Sequence, residues 1–467
     1  MDGLVAFDLT SKDLSPKPAL AQSWEVSEDG LTWTFYLRKD VVWSDDAPFT
    51  SQHVLDAFHR ILNPETAALA VDNLFVIQNA VEFNSGKIKN FKHVGVSKLD
   101  DYKIQFRLKA PVAFFPLIMA HHTTFPIRLD IIKKYGDRWI EPENIVTLGP
   151  YRLIHWHHDS RLIFKRNKTY WGVKPKVPYL IFYIVDRSST QLRMFERGKI
   201  DFIKDLPSSE IARLSQTKEY NRSAALRLYY YAFKTNKKPF DNVYLRQALA
   251  YAIDRHEVVK VLGSGQESLY SWIPHGLTGH SDTIGPRFDV VKARELFKSS
   301  GYDSQKDPIK ITLGFNSDEK HKRVAENIQS QLKRNLGLKV ELLSEEWKTF
   351  LSGLRGTSAY SIFRLGWVAD YPDPHTFMAI MKSHAPNNRT GWRNSRYDKL
   401  VDRGVAETDF KKRIQIYNQA QKILLQDEAP VIPLFTEVNQ VLVSQRIQGF
   451  HPNRLDLYHF HLMEIRK

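Results

Sequence analysis

Apolar residues alternate with polar ones at Trp24 and Val26 and again at Leu31, Trp33, Phe35 and Leu37, with Ser27-Glu28-Asp29-Gly30 between the two runs. A period of two around an Asp-Gly turn predicts an antiparallel hairpin with one buried face. The period then lengthens. Val54, Leu55, Phe58, Ile61 and Leu62 follow helical spacing, Thr50-Ser51-Gln52-His53 supplies the start and Asn63-Pro64 the stop. A further strand is expected over 103–108. From about 150 to 235 strands dominate (151–155, 162–165 and 179–185), with a helix over 189–197 ended by Gly198, and the alternation suggests an α/β sheet. Helices are also expected over 243–253, 292–299 and 321–335. The last carries Val324, Ile328 and Leu332 in one stripe and Gly337 behind it. Strand 339–343 follows at once, and the same grammar runs on to Val431-Ile432-Pro433-Leu434-Phe435.

The chain has 467 residues. That is too many for one core and implies two or three domains. No repeat, Gly/Ser linker or low-complexity tract separates them, so shared strands are expected to cross between domains and act as hinges. Hydrophobic residues at 42% and aromatic residues at 12% exclude a disordered chain. The net charge of +15 comes from 67 basic residues interspersed with 52 acidic ones. Without a dense basic block, it reads as a solvated basic surface and not as a nucleic-acid site. The absence of cysteine excludes disulfides, thiolate metal sites, iron–sulfur clusters and Cys nucleophiles. The first residues, Met1 to Asp8, show no basic start, apolar segment or small-residue cleavage site.

Signatures of catalysis are missing: no nucleophile elbow, phosphate loop, dinucleotide fingerprint or zinc-protease helix occurs. His155, His157 and His158 are the best metal candidates, since two of them share one face of a strand, but a polar strand end in water is the preferred reading. His121-His122 and His459 with His461 are read the same way, and Asp45-Asp46 and Asp100-Asp101 as solvated turn acids. No catalytic residue, metal ligand or cofactor is therefore expected. The stretch from Leu365 to Phe377 differs. Gly366 allows another backbone to approach, Trp367 offers a flat face, and Asp370 gives one anionic anchor before Pro372 and Pro374 stiffen the exit. It reads as a cleft for a ligand with a positive end.

Several segments together resemble one family, the family 5 extracellular solute-binding proteins of oligopeptide ABC transporters. They are Pro18-Ala19-Leu20-Ala21-Gln22-Ser23-Trp24-Glu25, Gly30 to Phe35, Leu37-Arg38-Lys39, Trp43-Ser44-Asp45 and Gly149-Pro150-Tyr151. In the same order follow Arg166-Asn167 with Tyr170-Trp171, Arg197-Gly198 with Asp201, Pro239-Phe240, Arg246 to Leu249, Ile253-Asp254-Arg255, Glu346 to Phe350, Gly366-Trp367 and Ala369-Asp370-Tyr371. The resemblance implies an α/β, two-lobed periplasmic-binding-protein fold of the class II, cluster C type with an extra small α+β domain. The lobes close over a short peptide and deliver it to a membrane permease. Carried onto this chain, residues 2–126 are the small second domain, 127–227 with 438–467 the discontinuous first lobe, and 228–437 the third domain, with crossings near Tyr229 and Glu437.

By the same resemblance Asp370 pairs with the peptide's α-amino group, and Gly366 and Val368 offer main-chain groups to it. Trp367 and Trp347 line side-chain pockets. Arg364, Arg355 and the pair His321 with Asn316 are alternative partners for a carboxylate whose position shifts with peptide length. The implied protein is a monomer of the periplasm or cell envelope, not an enzyme, with short peptides and permease subunits as partners. Relatives that carry dipeptides, nickel or haem are the alternative; a hydrolase or a nucleic-acid binder is the reading from another class. Three departures are noted. The chain starts where the family's second domain starts, so the first strand region of the first domain and the export signal are missing from this sequence, which a late-assigned start would explain. Asp46 replaces a turn glycine, and Ala70 stands near where relatives place a Tyr beside the peptide.

Overall fold

The computed structural model describes residues 1–11, 14–68, 71–303, 309–356 and 359–466. Ala70 lies outside them. The chain divides into two compact units, one of residues 1–207, 214–221 and 440–467, the other of 208–213 and 222–439.

After a short antiparallel pair, Val5–Phe7 with Pro16–Pro18, the first unit contains the expected hairpin, β1 (Ala21–Val26) against β2 (Thr32–Leu37), with Trp24 opposite Phe35 and Val26 opposite Trp33. Helix α1 (Ser51–Leu62) follows, and the Thr50 main-chain N–H donates to His53 Nδ1 at 3.0 Å, closing its first turn. β3 (Val96–Asp100) and β4 (Lys103–Arg107) complete a four-stranded sheet in the order β1-β2-β4-β3. Its buried face is aromatic: Phe106 packs at 5.7 Å from Phe35 and 4.9 Å from Phe58, ring centre to ring centre. Asp46 takes φ +66° in the turn between Trp43 and Ala47, the left-handed region that explains a glycine preference there.

β5 (Tyr151–His157), β6 (Arg161–Arg166) and β7 (Tyr179–Tyr183) form a separate three-stranded antiparallel sheet. This corrects the α/β expectation for that stretch. The connection from β5 to β6 is a three-residue turn with Asp159 at φ +58°, too short for the crossover that parallel strands require. Helix α2 (Ser188–Glu196) follows, and the short β8 (Phe202–Ile203) pairs with residues 442–443.

The second unit holds the parallel α/β grammar. β9 (Tyr220–Phe233) enters it, helices α3 (Val243–Ala252) and α4 (Arg255–Leu262) follow, then β10 (Glu267–Ser268) and α5 (Val290–Ser299). β11 (Ile311–Asn316), α6 (Glu319–Leu336) and β12 (Val340–Glu345) form a βαβ unit, with β11 and β12 parallel. The reason for α6 is plain in its ends: Asp318 accepts the N–H of His321, and Gly337 stops it at φ +69°. Its stripe of Val324, Ile328 and Leu332 is fully buried, each side chain contributing about 1.5–3 kcal/mol of transfer free energy. Helix α7 (Trp347–Arg355) leads to β13 (Ile362–Val368). Helices α8 (Ser395–Ala406) and α9 (Phe410–Lys422) precede the last long strand, β14 (Val431–Val443).

Within this unit the strands run β14-β9-β13-β11-β12. β9 and β14 each continue past the unit boundary, at 221/222 and 439/440, which is the strand sharing expected of domains without linkers. No helix among the described residues is long and apolar enough to cross a membrane.

Candidate functional site

Every candidate binding residue lies in the second unit, and four of them, Arg364, Gly366, Trp367 and Val368, are on β13. On one side β13 pairs with β9 along its whole length, from Phe233 opposite Ile362 to Arg227 opposite Val368. On the other side it meets β11 only through Ile362 and Phe363. Hydrogen-bonding direction alternates along an antiparallel ladder. The Ala369 N–H donates to Leu226 O at 2.8 Å, which turns the main-chain groups of Trp367 and Leu365 toward β9 and those of Arg364, Gly366 and Val368 away from it. Among the described residues no strand pairs with that outward edge. It is therefore a short template for one more strand, and Val368 is 45% exposed upon it. A Cβ at Gly366 would stand 3.0 Å from Leu228 O and 3.6 Å from Arg364 Nη2, so glycine keeps both the backbone approach and the space for Arg364.

Arg364 lies across this glycine. Its guanidinium sits 4.6 Å over the Tyr229 ring, and Nη1 donates to the neutral Asn316 amide oxygen at 3.1 Å. Its Nε is buried and has no hydrogen-bond partner among the described residues. The Tyr229 hydroxyl is 3.3 Å from His321 Nδ1. His321 is 5% exposed, and burial, then the charges of Arg364 and Lys320, push its pKa down to about 2. It is a neutral imidazole at physiological pH and offers hydrogen bonding in place of charge. Lys320 is bound at 2.8 Å by the buried Glu437. Asn316 and its register partner Glu345 are the last residues of parallel strands, and helices begin just beyond both; carboxyl ends of such strands are where α/β folds place ligands.

Trp367 and Asp370 are tied together. The Trp367 Nε1–H and the Asp370 main-chain N–H both donate to the Thr376 hydroxyl, at 3.2 and 3.3 Å. Asp370 itself is partly buried. The loop behind it is fixed by Asp373, whose carboxylate takes a two-pronged grip from Arg413 at 2.6 and 2.8 Å. Trp347 opens α7 and is 44% exposed, its ring 6.2 Å from Phe350. Arg355 ends the same helix, exposed, and together with burial it lowers the pKa of the half-buried Arg389.

Thus Arg364, Asn316, His321 and Tyr229 form one group, Trp367, Asp370 and Thr376 a second, and Arg355 with Arg389 a third. Thr376 and Arg389 were not expected in the site, and Tyr229 was expected only as a domain crossing. Tyr229 belonged to the run Tyr229-Tyr230-Tyr231, the one local signal for them. Among the described residues, His155 and His157, with rings 6.2 Å apart on β5, gain no third donor within ligating reach.

A sequence model of bacterial extracellular solute-binding proteins, family 5 Middle, matches residues 15–389. The periplasmic oligopeptide-binding protein OppA of Escherichia coli (strain K12) is 32% identical over 462 residues, covering 96% of this chain and 84% of that protein. The crystal structure of a periplasmic oligopeptide-binding protein from Borrelia burgdorferi (OppAIV) superposes with a TM-score of 0.89 at 30% identity, over 99% of this chain and 93% of that one. The Haemophilus influenzae OppA complex with the peptide RPPGFSPFR gives 0.88 at 30% identity, over 100% and 93%.

Proposed function

Since the chain belongs to the bacterial extracellular solute-binding proteins of family 5, we propose that it is the substrate-binding component of an ABC transporter, one that binds short oligopeptides through their backbone and termini and hands them to a membrane permease. The half-free edge of β13 carries this reading. It presents outward main-chain groups at Gly366 and Val368, with Arg364 at one end and Asp370 two residues beyond the other. A peptide added there is gripped by parts that every peptide has, so length and termini are selected and side chains tolerated. Asp370 takes the α-ammonium and Arg364 the carboxylate, with Arg355 and Arg389 serving other lengths; Trp347 and Trp367 face the ligand's side chains.

The rest of the proposal follows from the family. The protein works as a monomer in the periplasm or attached to the cell envelope, without catalysis. It is divided into a small domain over 2–126, a lobe of 127–227 with 438–467, and a lobe of 228–437.

A micromolar peptide corresponds to about −8 kcal/mol. Removing one partner of a desolvated charge pair costs about 2–5 kcal/mol. Calorimetric titration with a tri- to pentapeptide series should therefore find that Asp370→Ala loses that much, and that N-acetylation of the peptide weakens the unsubstituted protein but not the variant. Unchanged affinity in Asp370→Ala would remove the assignment.

A further inference from the structure

Away from β13, the loop after Trp272 gathers donors that the peptide reading leaves unused. His275, His280 and Asp282 each place one ligating atom within 4.8 Å of the other two. His275 Nε2 and His280 Nε2 lie 3.7 and 3.3 Å from the same oxygen, Asp282 Oδ1, and the two imidazoles are 4.1 Å apart.

The tautomers decide what this cluster can do. His280 Nδ1 is 2.9 Å from Ile273 O, and a carbonyl can only accept, so the ring proton of neutral His280 sits on Nδ1. The Nε2 lone pair is then aimed inward. That atom is shielded from solvent and has no hydrogen-bond partner among the described residues, the Asp282 carboxylate at 3.3 Å included. A lone pair facing a carboxylate is unfavourable unless a cation, either a proton on Nε2 or a metal ion, lies between them. His275 faces a hydroxyl, which can accept or donate, so its tautomer is set by what binds Nε2. Its Nδ1 is 2.9 Å from the buried Thr436 hydroxyl on β14, and in the tautomer that donates to this hydroxyl Nε2 is free for the same cation. Such outer partners orient metal-binding imidazoles.

The scaffold is rigid. The Gln421 amide accepts from the main-chain N–H groups of Trp272 and Ile273 and donates to Gly279 O, which pins both ends of the loop. Metal–ligand bonds of about 2.0–2.2 Å set tetrahedral ligand separations of about 3.4 Å, close to both N–O distances.

We propose that His275, His280 and Asp282 bind a divalent transition metal of the zinc class, with at least one coordination position open. Two imidazoles disfavour calcium and magnesium, which take oxygen ligands. The metal clasps the 273–282 loop to β14 through His275 and its Thr436 partner. Nothing in this depends on peptide binding.

The test is titration of chelator-treated, full-length protein with Co2+ and with Zn2+ alone. The expected result is one equivalent of cobalt with the visible bands of a four- or five-coordinate ion, displacement of it by zinc, and a zinc-dependent rise in melting temperature. Asp282→Asn, at an exposed position, and His280→Gln should each weaken zinc at least tenfold, while His155→Ala leaves it unchanged. No saturable one-to-one binding, or affinity unaltered in both ligand variants, would overturn the proposal. If His280→Gln does not fold, Asp282→Asn alone decides between the two results.

Discussion

Arg413 and Arg364 occupy similar surroundings and meet different partners. Both lie over a tyrosine ring, at 5.1 Å for Tyr417 and 4.6 Å for Tyr229, and both belong to the second unit. Arg413 is engaged through all three of its nitrogens. Nε donates to Gly404 O at 2.8 Å, the two terminal nitrogens hold Asp373, and one also meets the Tyr417 hydroxyl. Burial disfavours its charge, but the Asp373 carboxylate outweighs that and the pKa is raised. Arg364 has a neutral amide where Arg413 has a carboxylate, and its Nε is left over. A guanidinium whose three nitrogens all bind partners within the chain, one of them a buried carboxylate, holds the fold together. Arg364 meets no carboxylate among the described residues and lies beside an unpaired strand edge; under the proposed function it takes the carboxylate of the ligand.

The largest effect is expected from removing the arginine that holds Asp373. Arg413→Ala leaves Asp373 buried without its partner and should lower unfolding free energy by about 3–5 kcal/mol, read from urea denaturation. Arg413→Lys should recover only part of this, because one ammonium cannot make the two-pronged contact. The complementary change, Arg364→Ala, should alter folding stability by no more than about 1 kcal/mol while weakening peptide binding by about 1.5–3 kcal/mol, the range for hydrogen bonds to charged groups. A fold loss at Arg364 as large as that at Arg413 would erase the distinction.

His321 sharpens it more finely. Its pKa is depressed from 6.5 to about 2 in the fold, so the unfolded chain binds the extra proton. The associated stability is full above about pH 6.5 and is lost as pH falls from there toward 2, with a slope of up to about 1.4 kcal/mol per pH unit. Urea melts of His321→Gln between pH 4 and 6.5 should show a shallower decline than the parent protein. Peptide affinity between pH 6 and 8 should carry no titration from His321; an affinity that fell with rising pH and flattened in His321→Gln would make the histidine a cation in the site.

Much of the frame was legible because it is local. The Asp29-Gly30 turn, the Asn63-Pro64 stop and the stripe of α6 are each set within a few residues, and all form as expected. Asp370 and Gly366 stood out by residue type for the same reason. The edge of β13 was not legible, since it exists only because β11 pairs with two residues of β13 and goes no farther. Arg389 and Thr376 reach their places by tertiary packing, and over 151–183 the three expected strands form but the expected α/β pairing does not, because a short turn fixed antiparallel pairing where composition allowed either. Helices α8 and α9 were overlooked although their caps were visible: Asn394 accepts from Tyr397 N–H and Asp409 from Lys412 N–H. With α9 unread, Arg413 had no assigned place, and the contrast with Arg364 could not be drawn.

One measurement tests that contrast most directly: a chemical double-mutant cycle pairing Arg364 and Arg364→Ala with the tightest-binding peptide as its free acid and as its C-terminal amide, followed by calorimetry. If Arg364 waits for a ligand carboxylate, amidation weakens the parent protein and leaves the variant nearly indifferent, giving a coupling energy of about 1.5 kcal/mol or more. Additive losses, with no coupling at any peptide length, would mean that the spare donors of Arg364 are not a carboxylate site.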